Sequence, residues 1–468
     1  MSNAVRTVIR GGLVVDRHGY RAEDISIVDG VVAAVSSDIE PDVADIEIDA
    51  RGKLVMPAFV DPHTHLRIPG GEEAETLASG TRAAALGGYA AVFAMPNTEP
   101  ALDNPVRISQ LLGAAAALPV KVLCAASITR DRAGIELAPF YGLHQVGVRV
   151  VTDDGSGLQD AHLMRRALEY CSELGMVVAQ HAEVEALFRK GVMNEGQLSA
   201  RLGVSGIPAS AEEVMVARDI ELARAAGARI HFLHLSTARS ADLVARAKAD
   251  GVAVSAEVTP HHLTMTEDLL GGYDSRFKVN PPLRAREDVD GLWEHLGLGT
   301  FDVIGTDHAP HPMWKKNAPL DQAAFGMLGL QHSIAALWSE IPQVIARGRA
   351  RVVIPEAIRG TIGALGSHKF NPEELAWLWQ LLSMMSWKPA ELIGLRSGFE
   401  GELVPGRTAN VVVFDPFASR EVMPASIVSK ASNSPYLGRV LRGQVVDLFV
   451  EGRWLVADGS LIEEGNWI

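Results

Sequence analysis

The segment "DPHTHLRIPG" places two histidines one residue apart, His63 and His65, with Arg67 two residues beyond. On a β-strand, residues i and i+2 point to the same face, so the two imidazoles could share one metal ion. A metal site is already positive, so an arginine beside it raises the question of what group it pairs with. A lone His-x-His is a modest signal, but further candidates stand where other apolar runs stop. Asn97, the Asp153-Asp154 pair, His181, His234 and Asp307 all do so. Imidazole nitrogens with a carboxylate suit zinc or a similar divalent ion. Four histidines and one aspartate exceed what a single four-coordinate ion can accept alongside water, so two ions fit better and need a bridging ligand. Asp153 or Asp154 could bridge. His261 and His262, in "TPHHL", are neighbours that would face opposite sides of a strand, and are read as structural.

These residues need a scaffold that gathers strand ends. Eight short apolar runs alternate with segments of helical period: "LVMPAFVD", "YAAVFAMPN", "VKVLCAASI", "VGVRVVT", "MVVAQH", "RIHFLHLS", "VAVSAEVTP" and "FDVIGTD". The pattern predicts an α/β fold, a (β/α)8 TIM barrel, whose functional residues cluster at the C-terminal ends of the strands. Both chain ends read as short strands with turns and are expected to form one small β-sandwich domain. The expected division is 1–56 and 396–468 for that domain and 57–395 for the barrel. Residues 340–374 are extra length, a possible insertion that could extend the wall, cover the site or contact a subunit.

The 468 residues are 47% hydrophobic and 21% charged, ample for a large core. With 43 Lys+Arg against 57 Asp+Glu and no basic run, a nucleic-acid partner is not expected. Cys124 and Cys171 form no Cys-x-x-Cys pattern and read as small core hydrophobes. The N-terminus lacks an apolar signal region, and no long apolar span occurs, so a soluble cytoplasmic protein is expected. No G-x-S-x-G elbow or G-x-x-x-x-G-K-[ST] loop is present, so neither a serine nucleophile of that kind nor a phosphate loop is indicated.

Together "DPHTHLRIPG", "MPNTEP", "TDDG", "MNEG", "VTPHHL", "FKVNPPLR" and "GTDHAPHPMWKK" resemble the dihydroorotase family of the amidohydrolase superfamily, in its longer bacterial type. The resemblance runs from about residue 5 to 335 and from about 385 to the end. It implies two zinc ions per subunit, one on His63, His65 and Asp307, the other on His181 and His234, with Asp154 bridging. Related barrels often bridge with a carboxylated lysine on the fourth strand, but no lysine lies between Lys121 and Lys190. It implies substrate contacts from His65, Arg67, Asn97, Asn280 and His311, and from the backbone at Phe325 and Gly326, with Asp307 as proton shuttle. The implied reaction is reversible hydrolysis of dihydroorotate to carbamoyl aspartate in pyrimidine biosynthesis, a hydroxide between the metals attacking the cyclic amide. Arg67 would grip the substrate carboxylate. A homo-oligomer is implied too, with aspartate transcarbamoylase as a possible associate. Thr64 and Ile68 depart from the family pattern, and "HTH" is also typical of hydantoinases. The alternatives are a hydantoinase- or allantoinase-type cyclic amidase, and an inactive scaffold for aspartate transcarbamoylase.

Overall fold

The structure, a computed structural model, describes residues 6–40, 42, 45–365 and 369–463. Expectations that touch the N-terminal five residues, 366–368 and the last five lie outside them.

Eight parallel strands follow one another around a ring: β1 (Phe59–Thr64), β2 (Tyr89–Ala94), β3 (Lys121–Cys124), β4 (Val150–Val151), β5 (Val177–Gln180), β6 (Ile230–Phe232), β7 (Val254–Val258) and β8 (Val303–Ile304). Ladders join β1 to β2 to β3, and β4 through β8 in order. A bridge from Ala126 to Val151 links the two groups, and another from Thr64 to His308 returns the end of β8 to β1. Strands covered on both faces read as continuous apolar runs, which is why each appears in the sequence without alternation. All six residues of β2 and all four of β5 are buried.

The helices between them form for local reasons. In Ala161–Leu174 the buried residues Met164, Ala167, Leu168 and Cys171 share one face at helical spacing. Asp160 caps the start by accepting from the His162 and Leu163 amides, a contribution of about 1 kcal/mol. Gly175 ends the helix in the left-handed conformation (φ 66°), which glycine adopts without a Cβ clash. Both cysteines are buried and free.

The run "LVMPAFVD" does not form one strand. Leu54–Pro57 pairs antiparallel with Val411–Phe414, and only from Phe59 does the chain enter the ring. That first piece is part of a seven-stranded sheet containing Leu13–Asp16 and Gly19–Ala22 from the N-terminal region and Val411–Glu421, Val440–Val450, Arg453–Ala457 and Ser460–Leu461 from the C-terminal region. A four-stranded sheet of Thr7–Arg10, Asp24–Val28, Val31–Ser36 and Ile46–Asp49 lies with it. Ile9, Ile25 and Ile48 of the smaller sheet share one apolar cluster with Val14, Val411 and Phe449 of the larger.

The extra segment packs against both the ring's helices and the terminal sheets. Helix Ser333–Arg347 runs into it, and helix Glu356–Ala364 packs Ile358 and Ile362 inward. Thr361 Oγ1 accepts the Tyr20 amide (3.1 Å), and Val353 N donates to Gly297 O (2.8 Å). None of its described residues lines the cavity described below.

Candidate metal centre and its pocket

The ring delivers its polar residues to one end. His63 is the second-to-last residue of β1 and His65 lies just beyond its end; His181 follows β5, His234 lies two residues past β6, Asp154 three past β4 and Asp307 three past β8. Asp61 fastens two of these strands beneath the cluster. Fully buried, it accepts from the His63 amide (3.1 Å), the Thr306 amide (3.0 Å) and the Thr306 hydroxyl (2.5 Å). Arg67 (φ 60°), His234 (φ 33°) and Asp307 (φ 47°) all hold left-handed backbone conformations. Such strain costs on the order of 1–3 kcal/mol per residue and concentrates at functional sites.

Asp154 sits among all four histidines. Its Oδ1 lies 3.4 Å from His234 Nε2, 3.5 Å from His181 Nδ1 and 3.7 Å from His63 Nε2, and its Oδ2 lies 3.5 Å from His65 Nε2. Asp153 faces elsewhere, accepting from the Ile128 and Thr129 amides and the Thr129 hydroxyl. Asp307 Oδ1 is 2.8 Å from His65 Nε2 and 3.5 Å from His63 Nε2. Two sets of ligand atoms, His63–His65–Asp307 and His63–Asp154–His234, each gather within 4.8 Å. His63 Nε2 and Asp154 Oδ1 are buried there without any hydrogen-bond partner among the described residues. Buried polar atoms are normally paired, so convergent unpaired acceptors fit a cation.

Electrostatics agree. Burial alone would raise Asp154, yet His63, His181 and His234 outweigh it and hold the carboxyl well below its usual range. Asp307 is likewise held low, against burial, by the His65 hydrogen bond and the neighbouring imidazoles. Burial opposes charge on His181, but the nearby Asp154 and Glu183 carboxylates carry it up to about 9. The pair of carboxylates thus remains ionised and attracts positive charge, whether proton or metal.

Sequence reasoning missed the residues that orient this cluster. Glu257 on β7, fully buried, accepts from His63 Nδ1 (2.8 Å) and from the His234 amide (3.1 Å), fixing both at once. Gly305 leaves room for it: a Cβ there would stand 2.5 Å from the Glu257 carboxylate. The available signal was an acidic residue inside the apolar run "VAVSAEVTP". Arg132 donates to the Asp154 carbonyl and to Ser156 Oγ (3.2 Å), steadying the turn that carries Asp154. His261 and His262 line no part of the cavity, but the strand argument does not apply to them. They lie on a helical turn, Pro260–Thr264, started by Thr259 as cap and Pro260 as first residue. His262 Nε2 is 3.0 Å from Pro281 O.

A cavity of about 190 Å³ opens over the cluster, lined by every residue the family resemblance implies except His63: His65, Arg67, Asn97, Asp154, His181, His234, Asn280, Asp307, His311, Phe325 and Gly326. Arg67 Nε donates to Pro310 O (3.1 Å) and its Nη2 lies 3.1 Å from His311 Nε2; it makes no ion pair among the described residues. Asn97 is turned partly to the cluster, its Oδ1 2.8 Å from His65 Nδ1. Asn280 Nδ2 donates to Glu183 (3.1 Å), leaving its buried Oδ1 without a partner. At Gly326 (φ 130°) a Cβ would stand 2.7 Å from Ala309 Cβ and 3.1 Å from His311 Cδ2, so glycine lets the walls meet.

This arrangement, imidazoles and carboxylates converging at strand ends above a small polar pocket, defines a metal-dependent hydrolase of the amidohydrolase type. Solved structures share the fold: the L-hydantoinase of Arthrobacter aurescens (TM-score 0.80, 24% identity, 98% of this chain and 97% of that one) and the dihydropyrimidinase of Brevibacillus agri (0.79, 22%, 98% and 96%). The family model "Dihydro-orotase-like" matches residues 52–240. The dihydroorotase of Pelotomaculum thermopropionicum is 42% identical over 97% of this chain and 99% of its own, and that of Streptomyces coelicolor 40% identical over 97% and 99%. The chain belongs to the dihydroorotase family.

Proposed function

We propose that the chain hydrolyses (S)-dihydroorotate reversibly to N-carbamoyl-L-aspartate, the ring-closing step of pyrimidine (UMP) synthesis run in either direction. The observation that carries this reading is Arg67, a guanidinium without a carboxylate partner, facing the same cavity as the histidine–aspartate cluster. Dihydroorotate has an anionic carboxylate beside a cyclic amide, and the cavity offers a group for each.

In this reading His63, His65 and Asp307 would hold one zinc and His181 and His234 a second, with Asp154 shared between them, which its place among the four imidazoles supports. Bound there, divalent ions supply polarisation of the ring carbonyl and acidification of a water. Arg67 binds the substrate carboxylate, His311 and Asn97 help orient it, and the unpaired Oδ1 of Asn280 accepts the ring N–H. Asp307 is ionised and set against His65, so it can take the proton from the attacking water and deliver it to the leaving ring nitrogen. The backbone at Phe325 and Gly326 closes the pocket.

We read the ring and its helices as a (β/α)8 barrel (57–395) and the shared terminal sheets as a β-sandwich domain (1–56 with 396–468). No helix among the described residues is long and apolar enough to cross a membrane. A cytoplasmic homo-oligomer acting on a small molecule, with or without aspartate transcarbamoylase as associate, completes the proposal. The test is turnover of dihydroorotate by purified zinc-loaded protein. Formation of carbamoyl aspartate supports it; activity only on uncharged hydantoins or on allantoin would replace it with another cyclic amidase.

A further inference from the structure

The short helix Met313–Lys316 follows the loop that carries His311, and the Lys316 side chain is wholly buried. Its ammonium donates to three main-chain carbonyls: Ala324 (2.8 Å), Gly326 (2.9 Å) and Lys278 (3.2 Å). No carboxylate lies within ion-pair distance of it among the described residues. A buried cation without a counter-ion is expensive, so the carbonyls it gathers are what its place in the fold serves. They belong to two stretches that together shape the pocket. One holds Phe325 and Gly326, both at the cavity wall; the other leads into Val279 and Asn280, at the same cavity. Gly326 N also donates to Lys278 O (2.9 Å), so Lys316 reinforces an existing seam. Lys278, itself buried, donates to Leu320 O (2.6 Å) and lies 4.3 Å from the centre of the Phe325 ring. Asn433 supports the Gly326 carbonyl from another side (3.2 Å).

We propose that Lys316 is a positioning residue for substrate binding: by gathering the carbonyls of Lys278, Ala324 and Gly326 it sets the Phe325–Gly326 wall, and with Lys278 it puts buried positive charge behind that wall, where an anionic substrate is favoured. This rests on the dihydroorotase reading. It assigns these lysines to affinity and leaves the chemistry to the metal cluster. Burial, then the nearby Lys278, lowers Lys316 to about 7, and burial lowers Lys278 to about 8. The other groups that face them are Asp274 and His311 for Lys316 and Asp321 for Lys278. As pH rises through these values the lysines lose protons and the wall loses positive charge. The KM for the anionic substrate should therefore rise between about pH 6 and about pH 9.

The experiment compares zinc-loaded wild type and Lys316→Met on dihydroorotate across that range, with zinc content measured on both. The expected result is a KM about 10–100-fold higher in the variant, from a displaced Phe325–Gly326 wall and the loss of buried positive charge behind it. Its kcat should stay within about threefold, its zinc content should not change, and its KM should depend less on pH. An unchanged KM, or a fall of kcat and zinc content together, makes Lys316 merely structural and overturns the inference. Should the variant fail to fold, Lys278→Met, which removes the other charge behind the same wall, decides: an unchanged KM overturns the inference, and a KM raised at unchanged zinc content supports it. No turnover by zinc-loaded wild type removes the functional reading itself, and this inference with it.

Discussion

Replacing Arg67 by methionine keeps most of the side chain's length and removes its charge and donors. In the structure Nε is engaged with Pro310 O and Nη2 with His311, which leaves the remaining N–H groups free to pair with a substrate carboxylate. Burial lowers Arg67 to about 10, well above neutral pH, so it remains a cation. A bidentate pair to a carboxylate comprises two charge-assisted hydrogen bonds, each worth roughly 1.5–3 kcal/mol, so the variant forfeits roughly 3–6 kcal/mol of binding to the transition state. At about 1.4 kcal/mol per tenfold, kcat/KM for dihydroorotate falls by about 10² to 10⁴. Arg67 holds no ligand atom toward the cluster, so zinc content should not change, and removing a buried charge should not lower the melting temperature. Dihydrouracil, the same ring without the carboxylate, supplies the control: whatever its rate, it should be nearly indifferent to the substitution. The assay is steady-state kinetics on both compounds, with metal analysis and thermal melting on the same preparations. A fall of less than about tenfold on dihydroorotate, or zinc lost together with activity, would refute the assignment.

Glu257→Gln keeps the shape of the carboxylate but not its charge, and zinc affinity should drop about 10–100-fold; a zinc titration that matches wild type counts against Glu257 as the group orienting His63 and His234. Asp154→Asn should reduce bound metal below two ions per chain, because the carboxylate among the four imidazoles is the only candidate bridge on β4's loop; two ions retained would remove Asp154 from the ligand set. Gly305→Ala should weaken zinc binding in the same direction as Glu257→Gln, since the added Cβ stands 2.5 Å from that carboxylate, and normal zinc affinity would show that the loop absorbs it. Burial pushes the Cys124 thiol up to about 12 and raises Cys171 as well, so neither should react with a thiol reagent in the folded protein near neutral pH; rapid labelling of either would place it outside the core.

What the sequence revealed and what it concealed divide along a physical line. Parallel strands covered on both faces need apolar side chains at nearly every position, so the eight runs stood out, and the polar residues that interrupt them at their ends stood out with them. His63, His65, His181, His234 and Asp307 stood out as candidate ligands because a metal site draws on a few side-chain types, whereas residue types alone could not choose Asp154 over Asp153, which face different ways in the fold. Where the first run breaks was not legible, because Leu54–Pro57 is as apolar as β1 and only the pairing with Val411–Phe414 assigns it to the other sheet. The turn at His261 was legible in principle: Thr259 and Pro260 are a cap and a first helical residue, and they outweigh the strand pattern before them. The orienting residues are a different case. Glu257 acts on an imidazole 194 positions earlier, and nothing in its own segment names that partner. Arg132 and Lys316 bond main-chain carbonyls, which every residue carries, so no complementary residue exists for a sequence pattern to reveal. A charge that serves the backbone is recognised only by being buried, and burial of a single lysine among exposed neighbours is a property of the fold. The sequence therefore shows which groups could do the chemistry, and the folded chain shows which groups hold them to it.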